Sequence, residues 1–228
     1  MPVVVFCKKM TKGLIYYTNN KCDKVIMDAV IKRLNKICAG MEIISVSHKP
    51  MNFGKNIVMD LPSEAQSIFK QIYRGLQESK ADVIYLAEHD VLYHPSHFEF
   101  EPRFKDHFYY NLNVWQVDAE TGQALYRRSK RTSQLVIYKN TLMEYLDKLM
   151  ERIEKGGYKS GLGVSPMTHQ IHGIRFHGLR GFRSEYPNID IRHKDNFSNF
   201  VRTNEELVDG VPGWGKTEGR FNEFLDEI

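Results

Sequence analysis

Cysteine is scarce in this chain. The three thiols, Cys7, Cys22 and Cys38, share no metal-ligand spacing and leave one over under any pairing, which argues against a disulfide framework and for a reducing compartment. They read as buried packing residues. Long hydrophobic runs are also lacking. Stretches such as Val83 to Ala87 are far too short to cross a bilayer, and Met1 to Thr11 carries no secretory pattern, so no membrane span and a cytoplasmic location are expected. Charge of one sign is not in strong excess either: a net charge of +4 does not by itself mark a nucleic-acid binder, though it is compatible with anionic substrates. Repeats and low-complexity segments are absent. Aromatic residues are plentiful, with 13 Phe, 12 Tyr and 2 Trp, enough to fill a core and leave rings for stacking on bases or sugars. A length of 228 residues suits one domain spanning 1–228.

The first half alternates strand and helix. Gly13 to Thr18 (GLIYYT) is a buried strand that stops at Asn19-Asn20. A helix follows, with Asp23 as its cap, an apolar stripe of Ile26, Val30, Leu34 and Ile37, and Gly40 as its stop. Glu42 to Ser47 is a second strand, and His48 to Asn56 (HKPMNFGKN) is a polar loop with Pro and Gly. Ser63 and Gln66 have the spacing of a capping box ahead of a helix striped by Ala65, Ile68, Phe69, Ile72 and Leu76. Asp82 to Ala87 then reads as a central parallel strand running straight into Glu88-His89-Asp90. This succession predicts an α/β fold of the Rossmann type, a mostly parallel sheet flanked by helices, in which ligands bind beyond the carboxyl ends of the strands. Thr18-Asn19-Asn20, Ser47 and Glu88-His89-Asp90 fall on that edge.

The second half is less regular. Phe108 to Trp115 and Ser133 to Tyr138 read as strands, with the basic stretch Arg127 to Arg131 between them. Thr141 and Glu144 form a second capping-box pattern, whose helix carries Leu142, Leu146, Leu149 and Ile153 and ends at Gly156-Gly157. From Tyr158 onward Gly, His and Arg are frequent and periodicity is weak, which predicts a loop-rich segment with a poorly anchored end.

Several residue patterns carry chemistry. Two carboxylates separated by one residue at a strand end, Glu88 and Asp90, can turn toward one pocket and hold a divalent metal; a solvated acidic turn is the alternative. His193 could complete such a metal shell from the C-terminal segment, since neutral imidazole is an acceptable ligand beside carboxylates. It could equally be an ordinary exposed or hydrogen-bonded histidine. His169, His172 and His177 lie close in sequence, but no cysteine pair or HExxH pattern accompanies them and Arg175 sits among them, against a zinc site. Gly210 to Thr217 (GVPGWGKT) matches the phosphate-loop pattern letter for letter. Its context fails, because no buried strand precedes it and 11 residues after Thr217 leave no room for the rest of such a fold. Arg127, Arg128, Lys130 and Arg131, with Arg175, Arg180, Arg183 and Arg192, could form a basic rim for a diphosphate or a nucleic-acid backbone, or be solvated loop charges.

Thr18-Asn19-Asn20, the Ser47 to Asn56 loop, the helix with Gln71 and Arg74-Gly75, and the strand ending YLAEHD resemble the nucleotide-binding half of GT-A glycosyltransferases, over roughly Gly13 to Trp115. Glu88-His89-Asp90 resembles their DxD motif with Glu in the first position, which makes Asp90 the surer metal ligand. FRSEYPNIDIRH (Phe182 to His193) and VPGWGKT (Val211 to Thr217) resemble small phage and bacterial glycosyltransferases, some of them similar to enzymes proposed to glycosylate hydroxymethylated pyrimidines in DNA.

The resemblance implies a nucleotide-sugar-binding half, 1–115, and an acceptor-side half with a tail, 116–228. It implies a nucleoside diphosphate sugar, uridine-linked, bound by Thr18, Asn19, Asn20, Ser47, Asn56, Arg74, Glu88, His89, Arg183 and Arg192. A divalent metal, Mn or Mg, would sit on Asp90 and His193 with Glu88, and the acceptor would enter on the side covered by Gly161 to Arg183. The acceptor hydroxyl would belong to a modified pyrimidine in DNA or to a surface polysaccharide. Asp190 is the candidate catalytic base, since an inverting displacement needs a carboxylate to take the hydroxyl proton. A nucleotidyltransferase and a non-catalytic nucleic-acid-binding module remain the competing classes. The sugar, the stereochemical outcome and the oligomeric state are left open.

Overall fold

The computed structural model describes residues 10–156, 178–196, 207–219 and 221–228. The chain opens with β1 (Lys12–Thr18), α1 (Lys24–Ile37), β2 (Glu42–Ser47), β3 (Lys55–Val58), α2 (Ala65–Glu78) and β4 (Val83–Glu88). The short β5 (Val91–Leu92) and α3 (Pro95–Glu99) lead to β6 (His107–Asn111), β7 (Val114–Asp118), β8 (Ala124–Tyr126), β9 (Leu135–Tyr138) and α4 (Lys139–Glu154). The C-terminal part supplies β10 (Gly178–Phe182), β11 (Asn188–Arg192), the pair β12 (Gly210–Val211) and β13 (Gly215–Lys216), and α5 (Phe221–Glu227).

Seven strands form the main sheet in the order β10-β6-β9-β4-β1-β2-β3. Its β1, β2, β3 and β4 are mutually parallel, and only β9 runs against its neighbours. The fold is therefore a mixed α/β arrangement with a mostly parallel sheet flanked by helices. Strand alternation splits the core between its two faces. Leu14, Tyr16, Val83, Tyr85 and Ala87 pack with α1 on one side, while Ile15, Tyr17, Ile84 and Leu86 pack with α2 and α4 on the other. A second sheet, β5-β11-β7-β8, carries β11 past the end of β4: Asp190 pairs with Val91, and the Ile191 N–H donates to the Asp90 carbonyl at 2.8 Å. That crossing brings Arg192 and His193 beside the Glu88-His89-Asp90 turn.

Local signals held in part. Asp23 caps α1 by accepting from the Val25 N–H at 2.8 Å. Neither capping box forms. Glu64 is the residue before α2 and caps nothing with its side chain, because the Ser63 hydroxyl instead accepts from Asn19 Nδ2 at 3.0 Å. Thr141 lies inside α4, its hydroxyl donating to the Lys105 carbonyl, because β9 runs directly into the helix. Phe108 to Trp115 is two strands in two sheets, broken where the Asn111 side chain accepts from the Asn113 N–H at 2.9 Å and turns the chain.

The described C-terminal residues are anchored, contrary to the expectation for that segment. Phe221, Phe224 and Leu225 of α5 are buried in the same cluster as Ile26 and Val30 of α1. Gly210 to Thr217 is a β-hairpin, with Val211 paired to Gly215 and positive φ at Gly213 and Gly215, where an L side chain would be strained. The Thr217 hydroxyl donates to the Gly122 carbonyl at 2.6 Å. Trp214 donates to the Pro187 carbonyl at 2.7 Å under the Arg33 guanidinium. A hairpin in this place lacks the strand, loop and helix of a phosphate loop. Among the described residues no helix is long and apolar enough to cross a membrane.

Candidate active site

A cavity of 490 Å³ opens at the carboxyl ends of β1 and β4, where a doubly wound sheet leaves a crevice. Its floor is Tyr17, Thr18, Glu88, His89 and Asp90; one wall is α2 with Ser67, Ile68 and Gln71, and the opposite wall is Ser129 to Thr132 together with Arg192. Buried Gln71 fixes the strand ends, its amide donating to the carbonyls of Thr18 at 2.8 Å and Val46 at 3.0 Å.

The acidic turn is ordered by its neighbours. The Tyr17 hydroxyl donates to Glu88 Oε1 at 2.6 Å. Burial first, and then the nearby Asp90 carboxylate, push the Glu88 pKa above the ordinary carboxylate value. Asp90 Oδ2 accepts from Asn196 Nδ2 at 2.5 Å and lies 3.8 Å from His193 Nε2. Burial works against its charge, but His89, His193 and Arg192 outweigh it and hold the Asp90 pKa below the usual value. Two adjacent carboxylates with pKa values pushed apart are a mark of functional sites as well as of structural networks.

The cationic wall is built by a buried anion. Asp190, 3% exposed, is paired with the guanidiniums of Arg131 and Arg192, the latter at 2.6 Å. Two guanidiniums sharing one carboxylate leave positive charge facing the cavity, to which Lys130 adds. Asp190 itself does not line the cavity, so the geometry gives it a part in holding the two arginines and no access to an acceptor hydroxyl.

Other sequence candidates distribute unevenly. Thr18 and Asn19 line the cavity. Asn20, with φ of 57°, turns outward to accept from the Lys49 N–H at 2.8 Å. Ser47 and Asn56 bond to each other at 2.9 Å and shape the loop from which His48 reaches the cavity. Arg74 is on the outer face of α2, paired with Glu78 at 2.6 Å, and Arg183 donates to the Tyr126 hydroxyl at 2.5 Å; neither reaches the cavity. His169, His172, His177, Arg175 and most of the Gly161 to Arg183 stretch lie outside the described residues. Tyr17, Ser129, Asp195 and Asn196 were not singled out from the sequence, since each is a polar residue of an ordinary loop or strand until β11 is placed beside β4.

A divalent metal is implied by the resemblance to GT-A enzymes, and the donors fit one. Asp90 is held in its charged form, and among the described residues His193 Nε2 is a buried nitrogen with no hydrogen-bond partner, 3.8 Å from the carboxylate.

Fold and site together define an α/β protein with a strand-end cavity that sets the Glu88 and Asp90 carboxylates opposite a wall of Lys130, Arg131 and Arg192. No protein-family model and no curated protein matches the chain. Among solved structures it is similar to the inositol-1-phosphate CTP transferase of T. maritima, at 10% identity, TM-score 0.49 and 96% coverage of each chain. It is also similar to the bifunctional IspDF of Campylobacter jejuni, at 13% identity and TM-score 0.47, covering 77% of this chain and 50% of that one, so the chain spans half the length of that relative. A glycosyltransferase involved in glycosylation of the PBCV-1 major capsid gives 9% identity and TM-score 0.45, with 76% and 82% covered.

Proposed function

We propose that the chain is a metal-dependent glycosyltransferase that moves a sugar from a nucleoside diphosphate sugar, uridine-linked, to an acceptor hydroxyl. The observation that carries this reading is the pairing, across one strand-end cavity, of the Glu88 and Asp90 carboxylates with the cationic wall of Lys130, Arg131 and Arg192. A leaving diphosphate builds negative charge that fixed cations stabilise without reorganising.

Asp90 and His193 would hold the divalent ion, with Glu88 beside them. The ion supplies Lewis-acid neutralisation of the diphosphate. Arg131 and Arg192, fixed by Asp190, bind phosphate oxygens from the other side, and a pre-aligned guanidinium fork suits that contact. Thr18, Asn19 and His48 border the space for the nucleoside, with Gln71 keeping the two strand ends in register.

The test is calorimetric titration of UDP with and without manganese. Binding that requires the ion, followed by hydrolysis or transfer from a UDP-sugar, supports the reading. Release of pyrophosphate from a nucleoside triphosphate and a sugar phosphate would reassign the site to nucleotidyl transfer. Binding of DNA with a steep salt dependence and no affinity for nucleoside diphosphates would reassign the chain to a nucleic-acid-binding module. Duplexes containing hydroxymethylated pyrimidines and surface polysaccharide are the acceptors to compare.

A further inference from the structure

We propose that Cys22, His89 and His193 are ligands for a thiolate-accepting divalent transition metal of the zinc class, so that the ion at this site is chosen by sulfur and nitrogen as well as by carboxylate. One donor atom from each of these residues lies within 4.8 Å of the other two. They come from three separate elements: Cys22 from the loop between β1 and α1, His89 from the end of β4, His193 from the end of β11.

Two further observations point to a ligand. Among the described residues, His89 Nδ1 and His193 Nε2 are both buried and without a hydrogen-bond partner, and leaving a buried polar atom unsatisfied costs about 1–3 kcal/mol. His193 Nε2 faces Asp90 Oδ2 at 3.8 Å, which leaves His89 Nδ1 as the nitrogen that packing does not account for, and a metal would satisfy it. Burial, and then the carboxylates of Asp90, Asp23 and Asp195, push the Cys22 thiol up, so a thiolate there needs a cation beside it, and the same carboxylates favour a dication.

Zinc bond lengths of about 2.0–2.3 Å set tetrahedral donor separations of about 3.3–3.8 Å, so the three side chains would close by about 1 Å around the ion. Cys22 would bind as thiolate, its proton passing to solvent, and the Asp90 carboxylate is adjacent to the fourth position. Magnesium and manganese, which favour oxygen ligands, suit this set less well than zinc or cobalt, so zinc or cobalt should support UDP binding at lower concentration than manganese does. A second cavity, 540 Å³, is lined by Asp23, Ile26, His193 and Asp195 among others and shares Asp195 with the main pocket.

The inference shares His193 with the proposed active-site ion and rests on that reading only for the ion's role in transfer. The experiment uses the full chain, stripped with chelator under reducing conditions, and titrated with cobalt(II) in the absence of nucleotide. The expected result is a near-ultraviolet sulfur-to-cobalt charge-transfer band with intense tetrahedral visible bands, displaced by one equivalent of zinc. Cys22→Ser should lose the charge-transfer band and weaken zinc binding by more than about 100-fold, since even outer-shell changes cost about 10- to 100-fold; His89→Asn should weaken it in parallel. A cobalt spectrum without the sulfur band, or unchanged zinc affinity in a folded Cys22→Ser protein, overturns the inference. Should Cys22→Ser fail to fold, the wild-type cobalt spectrum decides. Failure of UDP to bind would remove the glycosyltransferase reading and leave a positive cobalt spectrum standing.

Discussion

At the scale of single residues, the site turns on how buried charges are matched. Asp90 is 7% exposed, and its charge persists because imidazole and guanidinium groups surround it. Asp90→Asn keeps the shape and the bond from Asn196 while removing the charge a metal needs. Loss of one preorganised electrostatic contact at a reacting centre typically costs about 10²–10³ in rate, so transfer should fall by at least about 10²-fold and manganese-dependent UDP binding should disappear by calorimetry. A folded Asp90→Asn protein that still binds UDP only with manganese would refute the assignment. Asp190 makes the opposite prediction. It anchors Arg131 and Arg192, and uncovering a buried ion pair's partner costs about 3–5 kcal/mol. Asp190→Asn should therefore lower stability by a few kcal/mol in urea titration and raise KM for the nucleotide sugar more than it lowers kcat. A normal stability with kcat reduced 10³-fold or more would instead mark it as the base.

At the scale of elements, the parts read correctly from the sequence are those decided locally. Asp23 before Ile26, Val30 and Leu34 is a cap and an apolar stripe within one segment, and α1 forms accordingly. Asp23→Ala removes the bond to the Val25 N–H and should cost about 1 kcal/mol, read as a lower midpoint in thermal melts. The YLAEHD strand was legible because a continuous apolar run ending in carboxylates has few other homes. What was not legible depended on partners far along the chain. Ser63 could not be known to accept from Asn19 instead of capping α2, nor could Asn111 be seen to divide one aromatic run between two sheets. Cys22 is buried in the core as the sequence suggested, but its neighbours His89 and His193 come from elements far along the chain and could not be read from the sequence. Arg183 looked like a phosphate ligand in its Gly-rich setting, yet Tyr126, 57 positions earlier, occupies it.

At the scale of the whole molecule, His97 joins parts that would otherwise meet only by packing. It is fully buried, its Nδ1 within 3.1 Å of the amides of Asn111 and Asn188, which belong to the main and second sheets respectively. Burial drives its pKa down to about 3. Because that value lies below the ordinary 6.5, the unfolded chain binds a proton between pH 6.5 and about 3 that the folded chain refuses. Stability contributed by neutral His97 is thus complete above pH 6.5 and is lost as pH falls through that window, by up to about 1.4 kcal/mol per pH unit. Glu88, raised in the folded state, works in the other sense above the ordinary carboxylate value, while His89, His48 and His94, lowered by burial, and Asp90, held low by its cationic neighbours, work in the same sense, so the His97 contribution is read as the difference between wild type and a variant. Replacing His97 by Gln keeps an acceptor for the two asparagine amides and removes the titrating group. Urea midpoints measured from pH 7 to pH 3.5 should fall less steeply in the variant than in the wild type, with the two curves separating most at the acid end. Parallel curves would show that His97 is protonated in the folded protein, and that the junction between the two sheets tolerates a buried charge.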